Sequence, residues 1–407
     1  MCNRILFCGI FATIYNRGNT MKKSLIATIL AGLFATSANA GIIIPAGDWT
    51  LDINGNVNAF ANYTKAHGDN AITGGLATRP DSRGETKAMG INTGLLPSWL
   101  GFTGKTRQND LDVEFTISIQ PNVSDNSAAG DVNTPLNRQA YVSFGDKSWG
   151  SIKLGKDLGI FASDAILNDM TLLGVGAGAA MSGAATTNGG IGTGYIYPAW
   201  KGQIAYTTPN MNGLQATVGI TNPNQASQNS LYQDRFGLEG KVSYTLATGA
   251  VTTKVWTSGA SYKVTPTTGG EYNAWAADVG VNATAGALGL TGYYYKGEGA
   301  GTTTFGSNGV DASGNKRDSD GYYVQATYAL PIKTKLGVAY GKSNLDKANG
   351  SDSASLLDYN ERYTVGAYHP LTKHLNLVAE YNRVEAQAHS GVSNHSDTIS
   401  TGAILFF

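Results

Sequence analysis

From Asp48 to Tyr63 the side chains alternate with period two. Trp49, Leu51, Ile53, Gly55, Val57, Ala59, Ala61 and Tyr63 fall on one face, and Asp48, Thr50, Asp52, Asn54, Asn56, Asn58 and Asn62 on the other, with Phe60 the exception. Strict alternation over this length predicts a β-strand with one face against an apolar phase and the other against water. Ordinary globular strands run only about five or six residues. The same grammar recurs around Leu111–Ile119, Phe236–Tyr244, Tyr322–Tyr328 and Leu375–Tyr381, and in the closing run Ile399, Thr401, Ala403, Leu405 and Phe407. On the second of these runs Glu239 and Lys241 share the polar face.

Seven short connections alternate with eight long ones, the latter near 64–90, 122–135, 158–198, 223–233, 264–271, 299–320, 346–359 and 388–396. The pattern predicts an all-β chain of about sixteen antiparallel strands in an up-and-down meander. Tight turns on one side and longer loops on the other suit a sheet that crosses a membrane. An open sheet edge in lipid would leave backbone groups unpaired, at several kcal/mol each, so the sheet must close into a transmembrane β-barrel. At this strand number the lumen is wide enough for a water-filled channel. Trp49, Tyr63, Trp149, Tyr206, Tyr244, Tyr322, Tyr381, Phe406 and Phe407 lie near strand ends and suit interfacial girdles.

One stretch breaks the pattern. Leu158 to Pro198 is rich in Gly, Ala, Ser, Thr and Leu, has no Lys or Arg, and carries only two acids, Asp164 and Asp169. A loop this long within an ordered domain is functional or disordered. Leu167, Met170, Leu172, Leu173 and Val175 make it too apolar for a solvated tail. The reading is a third loop folded back into the barrel, narrowing its lumen; the alternative is a Gly/Ala-rich surface insertion.

Targeting signals narrow the compartment. From Met21 the chain reads Lys22-Lys23, an apolar core Leu25–Phe34 and Ala38-Asn39-Ala40, a secretory signal peptide with cleavage expected after Ala40. Its core is too short to span a bilayer of about 30 Å as a helix. Residues 1–20 read as an over-extended start, 21–40 as the leader and 41–407 as a single barrel domain. Cys2 and Cys8 fall in the discarded part, so no disulfide or thiol chemistry is expected in the mature chain. The whole chain has 29 bases and 29 acids; removing Arg4, Arg17, Lys22 and Lys23 leaves 25 bases against 29 acids, a formal charge of −4. That is no nucleic-acid footprint. The chain has no Gly-x-Ser-x-Gly elbow, and its five histidines, His67, His369, His374, His389 and His395, show no metal-ligand spacing. Neither an enzyme nor a metal or cofactor is expected.

Four features resemble the Gram-negative general porins over essentially all of Gly41–Phe407. They are Ser98–Gly104; Arg138-Gln139-Ala140-Tyr141-Val142 with Trp149-Gly150-Ser151 and Leu154-Gly155-Lys156; the long segment after Lys156; and the terminal Phe407. The resemblance implies a homotrimer in the outer membrane, among lipid and lipopolysaccharide, that passes small hydrophilic solutes and ions passively. It implies assembly by periplasmic chaperones and the barrel-assembly machinery, with Phe407 as the signal read during insertion, and 122–135 as a loop latching a neighbouring subunit. A substrate-specific channel for a sugar or organic acid is the second reading; an adhesin or enzyme on a barrel scaffold is a third.

The resemblance also sets the expected constriction. Arg138 matches the family's wall arginine facing the third loop, with Asp164 and Asp169 on the loop's acidic side. Trp99 stands where many relatives carry a second wall arginine. Strand phase adds Lys153 to the lumen wall, and places Lys105 and Arg107 on it near the short-turn rim. Lys156 has the opposite parity, but is expected to turn inward at the strand end. Asp164 and Asp169 opposed to Arg138 and Lys153 would set a transverse field; alternatively the bases only pin the loop. Weak or no anion preference is expected.

Overall fold

The computed structural model describes residues 41–123, 136–179, 186–223, 231–232, 235–266 and 270–407. The expected leader and most of the expected latching segment lie outside the described residues. In chain order the strands begin with β1 Ile42–Ala46, β2 Trp49–His67, β3 Lys87–Asn92, β4 Trp99–Gln108, β5 Leu111–Gln120, β6 Leu136–Asp146 and β7 Gly150–Leu158. A short helix, α1 Ser163–Leu167, and a 3-10 turn, Met170–Leu173, follow. Next come β8 Trp200–Thr207, β9 Leu214–Thr221, β10 Leu231–Tyr232, β11 Gly237–Thr248, β12 Val251–Pro266 and β13 Tyr272–Ala285. The chain closes with β14 Leu288–Glu298, β15 Asp318–Ala329, β16 Lys335–Leu345, β17 Leu357–Pro370, β18 Leu375–Ala388 and β19 Ser393–Phe406.

Three of these are satellites. β1 pairs with the lower half of β2, β3 with its upper half, and β10 with the end of β12. The other sixteen form one antiparallel wall, each strand bonded to the next in sequence. The barrel closes where β19 pairs with β2, from His395↔His67 to Phe406↔Asn56. At the foot of that seam Phe407 N–H donates to Gly55 O at 3.0 Å and Gly55 N–H donates to Phe407 O at 2.7 Å. Gly55 permits the approach: a Cβ there would stand 2.2 Å from the Trp99 carbonyl oxygen and 2.8 Å from Cζ of Phe407.

Alternation decides which way each side chain points. Val57 and Ile399 are 53% and 57% exposed on the outer surface, while their neighbours Asn58 and Ser400 are 2% and 0% exposed inside. All seven short turns fall where the alternation lapses. The turn at Asn109-Asp110 needs two residues, both at positive φ (47° and 62°), the left-handed pair that a tight hairpin requires. Three expectations change. The last long loop, expected at 388–396, is a four-residue connection, 389–392, because β18 and β19 stay paired through Gln387↔Ser393. The first long connection holds an unforeseen strand, β3. Phe406 is no girdle residue: it is buried, in one apolar cluster with Ile404.

Phe60, the apolar intruder on the polar face of β2, is 1% exposed and packs with Met170 and Val175 of the long loop. At this point the inner wall is apolar where the loop covers it.

Candidate functional site

Between β7 and β8, the described residues 159–179 and 186–199 run through the interior. A buried loop must satisfy its backbone N–H groups, since water cannot. Here inward-facing side chains from five strands do so. Glu239 of β11 accepts from Ile160 N–H (2.6 Å) and Phe161 N–H (2.9 Å). Ser258 of β12 accepts from Ala162 N–H at 3.1 Å. Gln325 of β15 accepts from Met170 N–H (2.9 Å) and donates to Asn168 O (2.7 Å). Ser343 of β16 accepts from Gly194 N–H at 2.9 Å. Glu380 of β18 accepts from Val175 and Gly176 N–H at 3.0 and 2.9 Å. Glu239 also holds Lys201 at the loop's far root, at 2.6 Å, so one buried carboxylate ties both ends together. Aromatic side chains fill the seat between these anchors: Tyr262, Tyr293 and Tyr323 pack against Phe161, Ala165 and Tyr195.

The loop acids find partners other than those expected. Asp164, 5% exposed, pairs with Lys241 of β11 at 3.1 Å and with Lys254 of β12. Asp169 caps the 3-10 turn, accepting from Thr171 N–H and Oγ1 at 2.9 and 2.8 Å. Its other oxygen accepts from Gly190 N–H and the Tyr195 hydroxyl, each at 2.9 Å, and lies 3.6 Å from Arg362 of β17. It is a knot joining the loop's two limbs. Lys241, Lys254 and Arg362 are thus the cations opposite the acids. Lys241 was visible on the polar face of its strand, but alternation shows a side chain's face, not what stands across the lumen.

The expected bases are placed differently. Lys153 faces inward but pairs with Asp157 of its own strand and lies 4.5 Å from the Tyr141 ring centre. Lys156 does not turn inward. β7 continues to Leu158, Asp157 takes the inward position, and Lys156 is exposed on the outer face. Arg138 sits beside a register shift between β5 and β6 at Ser118/Gln120, which breaks the alternation. Its N–H donates to Gln120 Oε1 at 2.9 Å. Trp99 is half-buried, with Nε1 3.3 Å from Asn54 Oδ1, packed at the edge of the interior cluster. Lys105 and Arg107 stand at the short-turn end: Lys105 is 3.3 Å from Glu114, and Arg107 is 2.8 Å from Asp112 and 3.0 Å from Asp146. They line a hollow of about 720 Å³.

Two further loops enter the mouth, which the sequence pattern did not reveal. In the first, Leu76 N–H donates to Asn360 Oδ1 (2.9 Å) and Thr78 N–H to Ser396 Oγ (3.1 Å), and Ala77 packs beside Ala177. In the sixth, Phe305 meets Tyr262 edge-on at 4.5 Å and Phe161 at 6.1 Å, while Tyr197 N–H donates to Thr303 O at 2.8 Å. Arg317, at that loop's end, grips Asp352 with two hydrogen bonds of 2.7 and 2.6 Å, which hold the Asp352 carboxyl well below the usual carboxylate range. Ile72 and Leu76, apolar in an otherwise polar loop, were the available signal.

Residues 27–389 match the family model of the Gram-negative porins. The fold is similar to the outer membrane channel DcaP of Acinetobacter baumannii (18% identity, TM-score 0.67, 90% of this chain and 100% of that one). It is also similar to OmpF of Salmonella typhi, solved with daunomycin (17%, 0.59, 90% and 100%). A third likeness is to in-vitro-folded OmpT, an outer membrane protein of Vibrio cholerae solved in a trimer form (14%, 0.54, 88% and 99%). At these identities the structural likeness is one of fold. The family match spans most of the sequence: the chain belongs to the Gram-negative porins and is an outer-membrane channel for passive diffusion.

Proposed function

We propose that the third loop sets the constriction of this channel and that the constriction mildly favours anions and small polar solutes. One observation carries this reading. At the Asp164 triad the acid is buried while its facing cations keep contact with water: Asp164 is 5% exposed, against 18% and 22% for the side chains of Lys241 and Lys254. Two lysines on one carboxylate leave a net positive charge. A substrate-specific channel for small organic acids is the second reading, favoured by the three loops that share the mouth.

Planar-bilayer recordings separate the two. Diffusion predicts a zero-current potential of weakly anionic sign in a KCl gradient and flux that falls smoothly with solute size. Saturable current block by one organic acid supports the specific channel, and a cationic potential would overturn the charge reading.

We also propose a homotrimer. Exposed Ile42, Ile43, Met89 and Ile91 crowd the surface of the satellite strands β1 and β3, beside the first wall strand. A native mass equal to one chain would count against it.

A further inference from the structure

At the long-loop end of the closing seam three potential metal ligands meet on the outer surface. His67 on β2 and His395 on β19 are direct register partners, and Asp397 lies two residues further along β19 on the same face. The imidazoles stack, with centroids 4.4 Å apart and planes 13° apart. One ligand atom from each of the three lies within 4.8 Å of the others. His67 Nε2 is 3.4 Å from Asp397 Oδ2. A tetrahedral zinc ion with bonds of about 2.0–2.1 Å holds its ligand atoms about 3.3 Å apart, so this edge of the coordination polyhedron is already formed. His395 offers the third ligand atom, within 4.8 Å of the other two.

The geometry points to a three-ligand site for a borderline divalent transition ion, zinc-like, that staples the first wall strand to the last. Two imidazoles and one carboxylate suit Zn²⁺ or Ni²⁺ and not Mg²⁺ or Ca²⁺, which take oxygen ligands. The second shell is also in place. The Tyr381 hydroxyl donates to Asp397 Oδ1 at 2.6 Å, orienting the carboxylate and leaving Oδ2 for the ion. Lys65 and Arg383 are the register neighbours of Asp397, and Glu385 that of His395. Two bases and two acids around the site cancel, so a dication arriving at the two imidazoles meets no prior excess of positive charge. The fourth position faces outward, to water or an external oxygen ligand.

The test uses the purified native protein in detergent, with ZnCl₂ as the probe and MgCl₂ in parallel. About one zinc per chain is expected by calorimetry and by metal analysis after gel filtration, with no magnesium. Zinc affinity falls at least tenfold in His67→Gln and His395→Gln, and about tenfold in Tyr381→Phe, the range set by loss of an outer-shell partner; His369→Gln leaves it unchanged. Folding of each variant is checked by its heat-modifiable migration. Cobalt added to the wild-type protein gives the visible absorption of a tetrahedral site, a readout that needs no variant. Failure of the wild type to retain zinc, absence of the cobalt spectrum, or equal zinc retention in the folded His67→Gln/His395→Gln protein would overturn the proposal.

Discussion

Replacing Asp164 by Asn tests the charge logic of the constriction. In the native protein Asp164, Lys241 and Lys254 sum to one positive charge; Asn raises this to two while keeping the side-chain shape. An added unit charge about 7 Å from a permeating ion changes its energy by roughly 0.6 kcal/mol at bulk permittivity. The sign is opposite for chloride and potassium, so their permeability ratio moves about sevenfold in very dilute salt. Screening over a Debye length of about 10 Å at 0.1 M halves the energy and leaves about a threefold change. Where the wall displaces water the effect is larger. The assay is the zero-current potential in a tenfold KCl gradient, at low and at high salt. The expected result is a shift toward anions that fades with salt and is reversed by adding Lys254→Gln, which restores a single net positive charge. A folded Asp164→Asn channel with the native potential at low salt would mean that ions do not pass this triad, and the constriction argument would fall.

Glu239→Ala leaves Lys201 buried without its partner, a loss of about 3–5 kcal/mol felt at both loop roots. It should raise open-channel noise and mean conductance, and a silent, native-sized current would speak against the anchor. Deleting Phe407 removes the last hydrogen bonds of the seam and should lower the amount of folded, heat-modifiable protein in outer-membrane fractions; normal levels refute that. Asp352 has its carboxyl pKa depressed by Arg317, so the clasp is complete above the unfolded carboxylate value of about 4 and is lost as pH falls through the depressed value. Pepsin should therefore cut near 299–317 progressively more as pH drops below about 4, relative to an unfolded control; an unchanged pattern down to pH 2 would exclude the clasp.

Much of the barrel could be read from residue alternation, because a strand between lipid and water has no freedom to mix its faces. The inward course of the third loop had a related signal in Leu172 and Val175, which need apolar cover; that Phe60 supplies it to Val175 emerges only from the structure. The partners across the lumen were not legible. Asp164 meets lysines 77 and 90 positions further on, and only the closed barrel brings them together. Lys156 shows the cost of overriding parity, since strand phase alone places it outside. Arg138 shows the reverse case, a register shift that phase cannot anticipate. Glu239 and Glu380 lie on polar faces as a water-filled lumen would require, yet they bind backbone and not solvent.

The anchors of the third loop also set an order of events. Its first contacts, from Ile160 and Phe161, reach 79 and 78 residues ahead to Glu239, and Val175 reaches 205 residues ahead to Glu380 on the penultimate strand. The docking partners of this segment lie on strands far along the chain, and closing spans of that size is slow. While the sheet is still curling, the loop's amides have only water to bond, so it must wait in an aqueous space. The interior is therefore furnished last. An immature barrel that has closed its seam ahead of this docking is a wider hole than the finished one, and the timing of a few buried hydrogen bonds governs how long the cell's outer boundary stays leaky at each new channel.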